Sequence, residues 1–299
     1  MTKKLNLGII GLSEGNGHPY SWSAIFNGYD KKMMEVCGYP SIPNYLNSQK
    51  FPDVQIKEAS VTHVWTQDIN LSRQIASAAL IDNVVVNYQD LIKDVDAILL
   101  ARDDAKNHFE IAKVFLEVGL PIYIDKPLAL SVTDAKKIFN LQNYKGQIFS
   151  CSAMRYSSEL KLSDEQKNFI GEIRSIHGYV PKSWDKYAVH VIEPILQLIP
   201  DRGKILNNKI WRTNDQVLLL IDFESGVEIG IQACGKSATP ITLRVIGTKG
   251  WVDLIFTDTF NAFRSTLMDF IAGIINKDIR TSSDDIIEVV KLIELGRRT

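Results

Sequence analysis

Cysteine is scarce. The 299 residues hold three, Cys37, Cys151 and Cys234, with no spacing that a metal site or a disulfide framework would use. The pattern fits buried thiols in a reducing compartment, with no metal site. An excess of one charge is also missing: Lys+Arg 34 against Asp+Glu 35 leaves a net charge of -1, so nothing points to nucleic acid or to an anionic membrane surface. No apolar run approaches membrane-spanning length, and the run from Leu7 to Leu12 is too short for a signal-peptide core. Internal repeats and low-complexity tracts are absent. The expectation is a cytoplasmic protein. What is present is an ordinary globular composition, 45% hydrophobic and 23% charged, in a chain long enough for two domains.

The first apolar run, residues 5–11, ends in glycine and reads as a buried strand. A polar, glycine-rich turn follows, and residues 19–27 resume a helical pattern with Pro19 near the first turn. Strand, glycine turn and helix is how a nucleotide-binding unit begins. The spacing departs from G-x-G-x-x-G: counted from Gly11, the second position is Ser13 and the third is Asn16, with Gly15 and Gly17 beside it. The loop therefore reads either as a phosphate cradle or as a plain connection. His18 is either a helix-start residue or a ligand contact.

Residues 30–58 look irregular, since Pro40, Pro43 and Pro52 exclude a long helix, and a loop of that length is usually functional or a lid. Residues 59–65 alternate as a second strand, ending in Thr66-Gln67-Asp68. Asp68 is either a ribose partner or the N-cap of the next helix. Residues 95–101 form a buried strand followed by Arg102-Asp103-Asp104, and His108 lies early in the helix after it. These charged groups either meet a polar ligand or face solvent.

A β-branched run, residues 121–124, then stops at Asp125-Lys126-Pro127, where Pro127 cannot continue a ladder. Ligands sit at strand ends in open α/β sheets. Lys126 is thus a candidate proton donor, the alternative being an ordinary salt pair in a surface turn. Residues 1–127 alternate strand and helix, which predicts a doubly wound parallel sheet. Past Gly146, strand-like runs at 147–154, 173–180, 217–223, 227–233 and 241–246 are separated by turn signals. A helix at 189–199 interrupts them, and helices at 260–275 and 284–295 close the chain. Residues 128–299 are therefore expected to form an α+β domain with a mostly antiparallel open sheet.

Tyr187, His190 and Glu193 fall at i, i+3 and i+6, close to Trp184. His190 is either a hydrogen-bonded core residue or a proton-exchanging group. With these residues in view, the chain resembles the glucose–fructose oxidoreductase / inositol dehydrogenase / rhizopine-catabolism (Gfo/Idh/MocA) family over nearly its whole length. The resemblance rests on Leu7-Gly-Ile-Ile-Gly11, on Asp96-Ala-Ile-Leu-Leu-Ala101 with His108 after it, and on residues 116–127, which end in Asp-Lys-Pro where the family has Glu-Lys-Pro. It rests also on the Leu243 to Gly250 hairpin.

The resemblance implies a Rossmann domain holding NAD or NADP, contacted by Gly11, Ser13, Gly15, Asn16, Asp68, Asp103 and His108. It implies Lys126 and His190, with Tyr187, as catalytic residues, and a sugar-like substrate met by Arg155, Lys182, Trp184 and Glu193. It implies a homodimer or homotetramer through the second-domain sheet. A phosphorylated or nucleotide-linked sugar is favoured, since Lys182, Arg155 and Arg102 suit a phosphate. Lys186 stands where the family usually has an aspartate, four residues before the histidine. A rival expectation is a catalytically silent member that binds nucleotide or sugar as a sensor.

Overall fold

The computed structural model of the protein describes residues 4–298. The chain forms two compact units, each discontinuous in sequence. The first takes the chain up to Ala129 together with Thr133–Cys151 and Phe263–Ile286; the second takes Leu130–Val132, Ser152–Ala262 and the chain from Ile287. A single cut after residue 127 therefore does not describe them. Among the described residues no helix is long and apolar enough to cross a membrane.

The first unit is a six-stranded sheet of β1 Leu5–Ile10, β2 Ala59–Trp65, β3 Asn83–Val84, β4 Ala97–Leu100, β5 Ile122–Ile124 and β6 Ile148–Phe149. The strand order is β3-β2-β1-β4-β5-β6 and every pairing is parallel. This is the doubly wound order, which reverses between β1 and β4 and opens a crevice at the C-terminal strand ends. β4 and β5 are buried at every residue, as expected of strands covered on both faces. The helix His18–Asn27 is fixed to this sheet by rings: Trp22 stacks on Tyr123 at 4.7 Å, and Tyr123 meets Phe149 edge-on at 4.8 Å. Each such pair adds about 0.5–1.5 kcal/mol beyond its buried area.

Two expectations change here. Residues 30–58 are not wholly irregular but contain the short helices Lys31–Glu35 and Ser41–Asn47. The Asp30 carboxylate caps the first by accepting from the Met33 N–H at 2.9 Å. Pro43 lies in the first turn of the second, where a missing N–H removes no helical bond. Residues 147–154 were expected in the antiparallel sheet, yet β6 pairs in parallel with β5, and after Ser152 the chain turns into a 3-10 helix, Ala153–Tyr156.

The second unit holds β7 Ile173–Val180, β8 Ile205–Thr213, β9 Gln216–Phe223, β10 Glu228–Ala233, β11 Thr242–Gly247 and β12 Trp251–Ile255. The order is β12-β11-β7-β10-β9-β8, antiparallel except for the β7–β10 pair. β9 alternates strictly between buried and half-buried residues, so one face makes core. The helix Val189–Leu198 packs on that face: a Cβ added to Gly178 of β7 would lie 2.9 Å from Val191 Cβ, so glycine is what lets helix and strand approach. β8 and β12 are the sheet's two edges and escaped the sequence reading. β8 has no buried residue and therefore no apolar alternation to detect.

Candidate functional site

The loop after β1 is tied to three strand ends by side chains. The Gln67 amide, beyond β2, pairs both ways with the Leu12 backbone, accepting from its N–H at 3.0 Å and donating to its carbonyl at 2.9 Å. Ser13 Oγ donates to Asp103 Oδ1 at 2.6 Å and accepts from the Asp103 N–H at 3.1 Å, beyond β4. Asn16 Nδ2 donates to Asp125 Oδ2 at 2.8 Å, beyond β5. The two residues that replace fingerprint glycines thus act as tethers. Gly11 remains obligatory, because a Cβ there would lie 2.3 Å from the Pro19 ring. Gly15 holds φ 77 with open space around it.

The N–H groups of Ser13, Gly15 and Gly17 find no acceptor among the described residues. Three amide donors at the start of the helix His18–Asn27 suit a dinucleotide diphosphate, so the loop fits the cofactor that the fold implies.

Asp125 is the polar centre of this cluster. It is almost fully buried, and takes His18 Nδ1 at 2.7 Å on Oδ2 and the Lys126 N–H at 2.8 Å on Oδ1, besides Asn16. Burial alone would push its carboxyl pKa up; attraction to His18 and Lys126 and their hydrogen bonds instead hold it well below the usual carboxylate range. The His18 ring stacks on Trp22 at 4.8 Å, which fixes its plane. Lys126 is buried, with Nζ 3.6 Å from Asp103 Oδ2. The surface-turn alternative for Lys126 is therefore excluded. Asp104 takes the Arg102 guanidinium in two bonds, at 2.9 and 2.6 Å, and Arg102 Nη1 also donates to Gln67 Oε1 at 3.1 Å. Burial opposes ionisation of Asp104, but the hydrogen bonds from Arg102 and Asn107 hold its pKa below the ordinary value.

Two expected cofactor contacts have other employment. Asp68 is the N-cap of the helix Ile69–Ala78, accepting from the Asn70 N–H at 2.8 Å. His108 is fully buried, with its ring nitrogens 3.0 Å from the Leu128 carbonyl and 2.8 Å from the Arg102 carbonyl, so it pins two loops together and presents nothing to a ligand.

In the second unit, His190 lies on the helix Val189–Leu198, with Nδ1 2.7 Å from Ser152 Oγ. Glu193 is buried one turn further on, and its Oε1 accepts from the Ser152 N–H at 2.8 Å. The Tyr187 and His190 rings meet in a T-shaped arrangement with centroids 5.2 Å apart. The phenol oxygen accepts from Lys182 Nζ at 2.6 Å, and Lys182 is held at φ 62 by a two-way backbone pairing with Gly235. An ammonium can only donate, so the Tyr187 proton is turned away from Lys182.

Trp184, expected at the substrate, is a core residue whose Nε1–H is satisfied by the Ile293 carbonyl at 2.9 Å. Arg155 is half-buried in the 3-10 helix Ala153–Tyr156. Asp185, the acid nearest the expected aspartate position, pairs with Arg297 Nη1 at 2.5 Å. Two residues escaped sequence reasoning: Gln67, which holds the Leu12 backbone, and Ser152, hidden in a run read as strand. Among the described residues no group of three or more His, Cys, Asp or Glu is placed to hold a metal ion.

The model of a family described as "Oxidoreductase family, NAD-binding Rossmann fold" matches residues 6–152. No curated protein matches the chain in sequence. Among solved structures, the chain is similar to myo-inositol 2-dehydrogenase from Lactobacillus plantarum, at 17% identity and a TM-score of 0.72 over 98% of this chain and 96% of that one. Scyllo-inositol dehydrogenase from Lactobacillus casei, solved with NAD(H) and scyllo-inositol bound, matches at 15% identity and a TM-score of 0.71 over 97% and 95%. A UDP-N-acetylglucosamine 3-dehydrogenase from Acidithiobacillus ferrooxidans matches at 13% identity and a TM-score of 0.71 over 99% and 97%. At these identities the likeness is one of fold.

Proposed function

Because this chain belongs to the Gfo/Idh/MocA oxidoreductase family, with an NAD-binding Rossmann fold over residues 6–152, we propose that it is an NAD(P)-dependent dehydrogenase or reductase acting on a CH–OH group of a sugar-like molecule or cyclitol. The observation that carries the reading is the loop after β1, whose Ser13 and Asn16 side chains are tied inward while three amide donors are left for an anion. The bound cofactor would supply or accept the hydride. The diphosphate would be met by the Ser13, Gly15 and Gly17 amides. His190 exchanges the proton at the substrate oxygen, with Tyr187 beside it, and Lys126 contributes a fixed positive charge. For the finer reading of a phosphorylated or nucleotide-linked sugar, Arg102 already pairs with Asp104 and Lys182 with Tyr187, so these two cations would meet a phosphate only by sharing it with those partners. A silent binding member gains nothing from this geometry: a sensor has no physical need for a buried Lys126.

Calorimetric titration with NAD(H) and NADP(H), followed by an absorbance screen over cyclitols, sugar phosphates and nucleotide sugars, tests the reading. Saturable binding of at least one cofactor is expected. No binding of either at millimolar concentration sinks it.

We propose further that a second copy of the chain packs on the open face of the second sheet. Strand register puts exposed Ile255, Tyr179 and Trp211 in one row of that face, with exposed Trp251 on the same edge strand as Ile255. Sedimentation is expected to give a homodimer or homotetramer; a monomer at micromolar concentration would refute this assignment.

A further inference from the structure

We propose that His18 is a ligand-contacting residue: Asp125 holds its neutral ring as the Nδ1–H tautomer, so that Nε2 presents a lone pair to a hydroxyl in the nicotinamide half of the crevice. The tautomer follows from the hydrogen bonds alone, while the identity of the crevice rests on the dinucleotide reading above.

His18 and Asp125 belong to the first unit, as do Asn16, Trp22 and Phe263. Asp125 Oδ2 lies 2.7 Å from His18 Nδ1, and the carboxylate's other contacts are donors: Asn16 Nδ2 on the same oxygen and the Lys126 N–H on Oδ1. The Asn16 amide is oriented by its own carbonyl oxygen, which accepts the His18 N–H at 2.8 Å, so its nitrogen end is the one that reaches Asp125. A carboxyl met by donors on both oxygens is held ionised, and an ionised carboxylate only accepts. Nδ1 therefore carries a proton in either charge state of the ring. A buried aspartate fixes histidine in the same sense in hydrolytic triads.

Nε2 is the nitrogen left over. The stack on Trp22 and a T-shaped arrangement with Phe263, centroids 4.9 Å apart, fix the ring. Among the described residues no polar atom pairs with Nε2, and Nε2 is not a buried atom without a partner. The His18 side chain is 17% exposed against 1% for Asp125, so the pair opens outward through the imidazole. Sheet order says onto what. The ribose acid of a dinucleotide site follows β2, and the strand order reverses between β1 and β4; Asp125 directly follows β5, across that reversal, on the nicotinamide side. What a neutral ring meets there at Nε2 must donate, as a hydroxyl of a ribose or of a sugar-like molecule does. The ring can also take that proton. The O–H bond breaks, its electron pair stays on oxygen, and the imidazolium returns the proton later with Nδ1–H unchanged throughout.

Two measurements on the full-length protein test this. Nitrogen NMR with 15N-labelled imidazoles, at a pH well above the ordinary histidine range, reads the tautomer; among five histidines, His18 is assigned by its loss in His18→Gln. Nδ1 protonated and Nε2 bare is expected, and an Nε2–H ring would overturn the assignment. Diethyl pyrocarbonate, which acylates a bare imidazole nitrogen, reads the access. Peptide mass mapping of the wild type should find His18 labelled in the free protein. The label should be retained with ADP, which fills only the adenosine half, and lost when whichever of NAD(H) and NADP(H) binds is saturating. Loss with the dinucleotide alone assigns the hydroxyl to its ribose; loss only after a substrate from the absorbance screen is added assigns it to the substrate. An unlabelled His18 in the free protein, equal loss with ADP, or a label that survives both ligands would overturn the assignment. If His18→Gln does not fold, mapping of the wild type decides alone. Failure of the oxidoreductase reading shows as absent dinucleotide binding in calorimetry, whereas the tautomer and the free-protein label are read without ligand, so the two failures are distinguishable.

Discussion

Asp125→Ala is expected to cost about 3–5 kcal/mol of stability, the range for removing one partner from a buried charge network, read as a large fall in the urea midpoint. The carboxylate receives donors on both oxygens, from His18, Asn16 and the Lys126 backbone, and alanine would leave all three unsatisfied in a buried site. The loop after β1 would lose its tether to β5, so cofactor affinity should fall with stability.

The pH dependence has a definite sign. The folded carboxyl pKa is depressed, so its contribution is present in full above the ordinary carboxylate range, near 3.9. It is lost only as pH drops through the still lower folded value. The stability difference between wild type and Asp125→Asn should therefore be large at neutral pH and shrink in strong acid. Equal urea midpoints at neutral pH would show that the network is dispensable.

His190→Ala is expected to lower kcat about 10²–10⁴-fold, the span for removing a general acid or base, while the NAD(H) dissociation constant stays within a factor of two or so of wild type, well under the ~1.4 kcal/mol of a tenfold change. His190 lies in the second unit and the phosphate loop in the first, which is why binding and turnover should separate. The measurement is steady-state absorbance of the nicotinamide on the best substrate from the screen, beside calorimetric titration of the variant. Lys126 is a less clean target. Its removal leaves Asp103 as a buried carboxylate without its cation, so lost activity would mix with lost stability. Unchanged turnover in His190→Ala would show that the proton comes from elsewhere, with Tyr187 the next residue to replace.

Some of this was legible from residue order alone. The run of residues 5–11 and the block Asp125-Lys126-Pro127 marked their strands, because buried parallel strands are continuous apolar runs and proline stops a ladder. Strand and helix alternation up to residue 127 determined the doubly wound sheet, and the turn-separated runs after residue 146 determined an antiparallel one. The membership of β6 and the existence of β8 did not follow. A two-residue strand carries no periodicity, and an edge strand without a buried residue has no apolar face to betray it.

The sites divide in the same way. That Lys126 and His190 are candidates was readable, since each stands in a local pattern that chemistry recognises. What holds them was not. Asp125 meets His18 across 107 positions, Ser13 meets Asp103 across 90, and Ser152 meets His190 across 38. Such pairings leave no trace in local spacing, because the sheet order, and not the distance along the chain, brings strand ends together. The same cause moved Asp68 to a helix cap, His108 between two carbonyls and Trp184 into the core. Sequence determined which side chains this protein has at its strand ends and on the helix that carries His190. Only the tertiary structure decided which protons and lone pairs they have left to offer, because hydrogen-bond partners are assigned by space.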